Sequence, residues 1–236
     1  MARFLAVAPH PDDEVIACGP LLVDLLAAGH DVTVLCTSLG RSADHDRRRA
    51  EAEVAASAGG WALRCIDPPA RIGREDDHLR ALREIGAGVQ AAVRALAADV
   101  VIGPSPDDAH HGHETVGLAI QESLRYSPGM VLWSWAFWGS LPTSTLLHPF
   151  GEPTMTSALL ALSMYGGEIA RNDYREVLMG MARANAVLGS ERVFGFGSGR
   201  ASHLPYATVL LETISDGAHW HATDARMLDV SDPLAR

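Results

Sequence analysis

The chain has 236 residues, 47% of them hydrophobic and 20% charged, which fits one globular domain with a sizeable core. A formal charge of −10 lacks the basic footprint that nucleic acid requires. No apolar run reaches the roughly 18 residues needed to span a bilayer, so neither nucleic acid nor membrane is an expected partner.

All 19 basic residues are arginine, which excludes lysine Schiff-base chemistry and a phosphate-loop lysine. Met1-Ala2-Arg3 leads straight into an apolar run with no room for a signal peptide, so a cytoplasmic location is expected. Cys18, Cys36 and Cys65 stand isolated in apolar surroundings and read as small buried hydrophobes.

Residues 3–7 predict a buried strand that ends in His10-Pro11-Asp12-Asp13-Glu14 and runs into a helix. Pro11 fixes its own φ and holds His10 extended, so the turn is stiff. His10 and Asp13, three residues apart, suit a divalent metal, and Asp12 between them is free to act as a base. The simpler alternative is that the two aspartates cap the helix. That helix carries Leu21, Leu22, Leu25 and Leu26 on one face and stops near Gly29.

A second strand over 31–36 is followed by a polar loop rich in arginine, residues 40–48, and an Ala-rich helix to about Ser57. A short strand over 61–66, a loop over 67–77 and an amphipathic helix through Leu79, Leu82, Ile85, Val89, Val93 and Leu96 come next. The fourth strand, 100–103, ends in a second cluster, Asp107-Asp108-Ala109-His110-His111-Gly112-His113-Glu114, which again opens a helix. A fifth strand, 130–138, is rich in tryptophan.

Two acidic/His clusters in equivalent strand-to-helix turns are hard to explain as caps. The βαβα order predicts an α/β fold, a Rossmann-like parallel sheet ordered about 3-2-1-4-5 with helices on both faces. In that order strands one and four are neighbours at the switch point, where ligands bind beyond the carboxyl ends. Both clusters lie there. With His10 and Asp13 as ligands, a third is needed that leaves a position open, and His110, His111 and His113 are the candidates.

After Gly139 the alternation fades: a loop with Pro142, Pro149 and Pro153, an apolar run over 158–164, a helix over 174–188, a glycine-studded loop and a strand over 207–211. The chain is expected to be a single domain, 1–236, with a metal-site core over 1–138 and a C-terminal cap over 139–236.

These motifs resemble the PIG-L/LmbE-like zinc-dependent N-deacetylases, which remove acetyl groups from N-acetylglucosamine-type amines. The family's Ala-His-Pro-Asp-Asp-Glu is matched from His10 to Glu14, with Pro9 in place of Ala. Its His-x-Asp-His is matched at His110 and His113, with Gly112 where the family has Asp. An Arg-x-x-Glu pattern with an Ala-rich helix and Gly is similar at Arg48, Glu51 and Gly60. The resemblance covers residues 1–125 well.

It implies Zn2+, or another divalent metal, on His10, Asp13 and His113, with Asp12 as general base. His110 is implied as a protonated group that stabilises the oxyanion or protonates the leaving amine, and Arg48 as a contact to substrate. In place of the missing Asp, Asp108 is expected to hold His110 in its charged form. The implied activity is removal of an N-acyl group, acetyl first, from an amino sugar or a sugar-bearing small molecule. An ester- or phosphate-cleaving metallohydrolase and a decayed sugar-binding protein are the alternatives.

Trp138 at the end of its strand is best placed to stack on a sugar, whereas Trp133 and Trp135 read as core. Tyr165, Tyr174 and Tyr206 are candidate carbonyl polarisers. His111 is expected in solvent, and His30, His45, His78, His148, His203, His219 and His221 on the surface or satisfied in the core.

Overall fold

The computed structural model describes residues 1–235. Its first half is the expected alternation: β1 (Arg3–Ala8), α1 (Asp13–Ala27), β2 (Asp31–Cys36), α2 (His45–Gly59), β3 (Ala62–Cys65), α3 (His78–Leu96), β4 (Val100–Pro104), α4 (His111–Leu124) and β5 (Val131–Trp135). These strands are parallel and ordered β3-β2-β1-β4-β5.

Each strand feeds both faces because side chains alternate. Phe4 and Ala6 enter one core with Val32, Val34, Val100, Ile102 and Trp133, under α1 and α2. Leu5 and Val7 enter the other with Leu35, Val101 and Leu132, under α3 and α4. Burial on both faces explains why β1, β2, β4 and β5 read as continuous apolar runs, whereas the edge strand β3 is only half-buried.

The helix α2 starts at His45, inside the stretch expected as loop. Its first turn is held by charge rather than by an apolar stripe: Arg47 pairs with Asp44 at 3.3 Å and with Glu51 at 2.7 Å.

The last third contains β6 (Leu146–Phe150), α5 (Glu152–Leu162), α6 (Gly166–Arg171), α7 (Tyr174–Phe194), β7 (Tyr206–Ser215), β8 (Trp220–Ala222) and β9 (Arg226–Met227). It continues the sheet: β7 pairs antiparallel with β5 and carries β6, which in turn carries β9. The apolar faces of α5 and α7 pack into the same core as α1 and α2. Strand β6 lies where a proline-bearing loop was expected. Pro149 is tolerated because β9 reaches only Leu146 and Leu147, so no strand lies on its other side among the described residues. Among the described residues no helix is long and apolar enough to cross a membrane.

Candidate metal centre and active site

The carboxyl ends of β1 and β4 lie side by side, and the two His/Asp clusters meet there. Asp12 occupies the N-cap position of α1 yet makes no capping hydrogen bond, so the capping alternative does not hold. Its φ of 108° is in the left-handed region, where a side chain is strained, and Ala109 just before His110 has φ 56°. Both turns thus use a strained residue to aim their functional groups.

Asp13 sits between two imidazoles. Its Oδ2 accepts from the His10 backbone N–H at 2.8 Å and lies 3.2 Å from His10 Nδ1. Its Oδ1 is 3.2 Å from His113 Nε2. His10, Asp13 and His113 can each offer one ligand atom, all within 4.8 Å of one another. Two imidazoles and a carboxylate suit zinc or a similar divalent ion. His113 is oriented for it: its Nδ1 is 2.6 Å from Asp108 Oδ2, which leaves Nε2 on the Asp13 side.

Asp108 therefore serves His113, not His110 as expected. Its other oxygen, Oδ1, accepts the backbone N–H groups of Trp138 at 2.8 Å, Gly139 at 3.0 Å and Phe137. The spacing in sequence favoured His110, two residues on, but the left-handed turn at Ala109 brings Asp108 against His113 instead.

His110 Nδ1 is buried with no partner. A Cβ on Gly112 would lie 3.4 Å from His110 Cε1, so a carboxylate at that position would border this ring. Burial first, then the charges of His113 and His10, push the His110 imidazole down to about 4. The sequence reading expects a protonated group here, whereas with no metal bound and His113 cationic this environment favours the neutral imidazole. Its face stacks with Trp138, ring centroids 5.9 Å apart and 24° between planes.

The remaining titrations follow the same competition between burial and charge. Burial opposes ionisation of Asp13, but His113 and His10 outweigh it and hold that carboxyl well below its usual range. Burial lowers His113, yet Asp13 and Asp108 raise it to about 10. Burial, then Asp13 and Glu14, hold Asp12 well above the ordinary carboxylate range, with Arg48 pulling the other way. Glu14 is raised by burial to about 7 and accepts a short hydrogen bond from the Tyr165 hydroxyl.

Around this centre is a cleft of about 950 Å³, at the upper end of ligand pockets. Arg48 lines it, but its guanidinium already pairs with Glu168 at 3.2 Å and donates to the Leu39 carbonyl at 3.4 Å. The guanidinium lies over Gly40, where a Cβ would come within 2.5 Å of Nη1. Trp138, 52% exposed, and Tyr174 also line the cleft, and so does His111, expected in solvent. Tyr165 lies beneath on Glu14, and Tyr206 bonds Glu152 outside the cleft. Trp133 and Trp135 are core, the latter edge-on to His113 at 5.3 Å.

Sequence reasoning missed Glu168, which anchors Arg48, and the cleft arginines Arg41, Arg71, Arg74 and Arg171. The unusual density of arginine after β2 was visible; the pairing with a residue over a hundred positions away was not.

Comparison with known proteins adds three findings. A family model described as GlcNAc-PI de-N-acetylase, PIG-L, matches residues 5–124. A 1D-myo-inositol 2-acetamido-2-deoxy-alpha-D-glucopyranoside deacetylase of Corynebacterium glutamicum (strain R) is 51% identical over 43 residues, 18% of this chain and 15% of that protein. The match therefore spans well under two thirds of that relative's length.

Among solved structures, N,N'-diacetylchitobiose deacetylase from Pyrococcus horikoshii aligns with TM-score 0.68 at 19% identity, over 91% of this chain and 84% of that one. GalB, the 4-carboxy-2-hydroxymuconate hydratase from Pseudomonas putida KT2440, aligns with TM-score 0.64 at 20% identity, over 90% of this chain and 96% of that one. The two activities differ on one fold, so the likeness speaks to architecture alone.

Proposed function

The chain belongs to the PIG-L family, and from that membership we propose that it is a zinc-dependent N-deacetylase of an amino sugar or a sugar-bearing small molecule. The observation that carries the reading is the His10, Asp13 and His113 donor set with Asp12 beside it, in one cleft at the switch point of the sheet. A zinc ion held by those three residues would supply Lewis-acid activation of water and of the acyl carbonyl.

The chain's own residues do the rest. Asp12 is not one of the donor set and lines the cleft, so it takes the proton of the attacking water as general base. The same carboxyl then returns that proton to the departing amine. His110, as a neutral imidazole, hydrogen-bonds the oxygen on which charge develops. Trp138 offers an exposed aromatic face for the sugar, and Arg48, fixed by Glu168, borders the substrate.

The test is zinc content and acetate release measured together on wild type and Asp12→Ala, with N-acetylglucosamine and its conjugates. Both proteins should hold about one equivalent of zinc, and Asp12→Ala should lose roughly 10²–10⁴-fold in kcat. Equal acetate release by both would remove Asp12 from the chemistry. The hydratase on the same fold motivates a second reading, in which the centre activates water toward a different bond. Ester, phosphate or hydration turnover without acetate release would establish that reading. Survival of all five residues, His10, Asp12, Asp13, His110 and His113, argues against a decayed binding protein.

A further inference from the structure

Of the three cysteines, Cys18 and Cys36 are buried as expected, but Cys65 is only half-buried. Cys36 ends β2, Cys65 ends β3, and the two are direct register partners in that parallel pair. Residues so paired project to the same face of the sheet. Neighbouring strands run about 4.8 Å apart, inside the roughly 4.4–6.8 Å between Cα atoms that a disulfide spans. The Cys36 sulfur lies 3.3 Å from the Ser38 carbonyl oxygen and within hydrogen-bond reach of the Cys65 sulfur. Adjacent thiols sealed inside a core are ordinary small hydrophobes, but here one of the two opens to solvent.

The environments of the two thiols differ in a way that assigns each a role. The hydrogen bond from Cys36 lowers the Cys65 thiol against partial burial, with Arg49 adding to it and Glu53 and Asp67 opposing. The same bond, then burial, raises Cys36 and keeps its proton in place. The thiolate is the nucleophile in sulfur chemistry, and oxidants select a solvent-accessible, acidified thiol beside a second cysteine. Cys18 is the contrast: it is fully buried, donates to the Glu14 carbonyl at 3.2 Å and is raised by burial.

We propose that Cys36 and Cys65 form an oxidisable dithiol that reacts with a hydroperoxide, Cys65 as the attacking sulfur and Cys36 as the resolving one. Neither belongs to the His/Asp donor set, and the proposal does not rest on the deacetylase reading. The Cys65 thiolate attacks one peroxide oxygen, the O–O bond breaks, and the departing oxygen takes up the proton that Cys65 released. Cys65 is then a sulfenic acid. The Cys36 sulfur attacks it, the S–O bond breaks, and the released hydroxide leaves with the Cys36 proton as water. Two thiols are thereby oxidised to one disulfide while the hydroperoxide is reduced to an alcohol, or to water where it is hydrogen peroxide. The bridge would fix the root of one cleft wall. Ile66 N–H donates to the Cys36 carbonyl at 3.0 Å and Ala70 N–H to the Thr37 carbonyl at 2.8 Å, and residues 68–74 line the cleft.

In the experiment the full chain is reduced, freed of reductant and treated with a small molar excess of hydrogen peroxide near neutral pH. Intact mass, thiol titration and peptide mapping follow the reaction. Wild type should lose the mass of two hydrogens and keep one titratable thiol, Cys18. Its Cys36 and Cys65 peptides should be joined, and a dithiol reductant should separate them. Cys36→Ser should instead gain one oxygen at Cys65, captured by dimedone as a sulfenic acid. Cys65→Ser should lose thiol about tenfold more slowly than wild type, since its remaining cysteines are buried and protonated. The wild-type measurement decides on its own, whether or not a variant folds. Three thiols still free in treated wild type overturn the proposal. So do thiol loss in Cys65→Ser as fast as in wild type, and over-oxidation of Cys65 with no joined peptide.

Discussion

Asp108 is completely buried and makes four hydrogen bonds, three to backbone N–H groups through one oxygen and one to His113 through the other. Replacing it with Asn separates those two duties. The Asn carbonyl can still accept the N–H groups of Phe137, Trp138 and Gly139, so the loop after β5 keeps its shape. The amide NH₂ would then face the His113 Nδ1–H, donor against donor. The ring relieves this by moving its proton to Nε2, the nitrogen that the metal needs. Asp108→Asn should therefore weaken zinc binding by about 10–100-fold, with thermal unfolding of the metal-free protein little changed. Competition with a chromophoric chelator reads the affinity directly. Unaltered affinity would mean that Asp108 only braces the loop, and that His113 is oriented by its packing against Trp135.

Among the elements, β7 bears the charged group most deeply set in the sheet. Glu212 accepts from Trp133 Nε1 at 2.7 Å and from Arg226 Nη2 at 2.9 Å, and so ties β5, β7 and β9 together. Burial opposes its ionisation, but Arg226 and Trp133 outweigh it and hold its carboxyl below the ordinary range. A depressed folded-state value stabilises the protein above the unfolded pKa, about 4.3, and that stabilisation disappears as pH falls through the folded value. Glu212→Gln should cost roughly 1.5–3 kcal/mol at pH 7, the range for hydrogen bonds to a charged group, and progressively less below about pH 4. Urea unfolding at both pH values measures it, and a pH-independent gap would contradict the ionic origin. None of this was legible in the sequence, because Trp133 and Glu212 are 79 residues apart and each looks like ordinary strand content. Strands β1, β2, β4 and β5 were legible because burial on both faces leaves an unbroken apolar signal. Strand β6 was not, since Pro149 reads as a breaker until the bare side of its strand is known. The start of α2 was hidden for a related reason: Arg47 holds it through ion pairs, which leave no hydrophobic period. That His10, Asp13 and His113 come together was legible because each motif packs its chemistry into one short turn. The partner of Asp108 was not, because a backbone reversal at Ala109 decides it.

At the scale of the molecule, the proposed metal site joins two halves of the chain. His10 and Asp13 end β1 and begin α1, whereas His113 lies in the first turn of α4, a hundred residues later. Without a metal, the cationic His113 lies between Asp13 and Asp108 and partly balances the acidic turn of Asp12, Asp13 and Glu14. A zinc ion would replace that proton with a stronger cation bound only by the folded arrangement, since the ligands are far apart in an unfolded chain. Binding to the native state alone adds about 2.7 kcal/mol at a hundredfold excess over Kd. For a chain of this size that corresponds to a Tm rise of roughly 5–10 °C. A chain with net charge −10 also attracts cations non-specifically, so zinc could raise Tm without filling this site. The control is Asp13→Ala, which removes the ligand that touches both imidazoles and leaves the remaining surface charge in place. Zinc titrations followed by thermal unfolding should give the full rise in wild type and little in Asp13→Ala. Equal rises in the two proteins would trace the stabilisation to diffuse cation binding and would leave the two halves of the sheet uncoupled by metal.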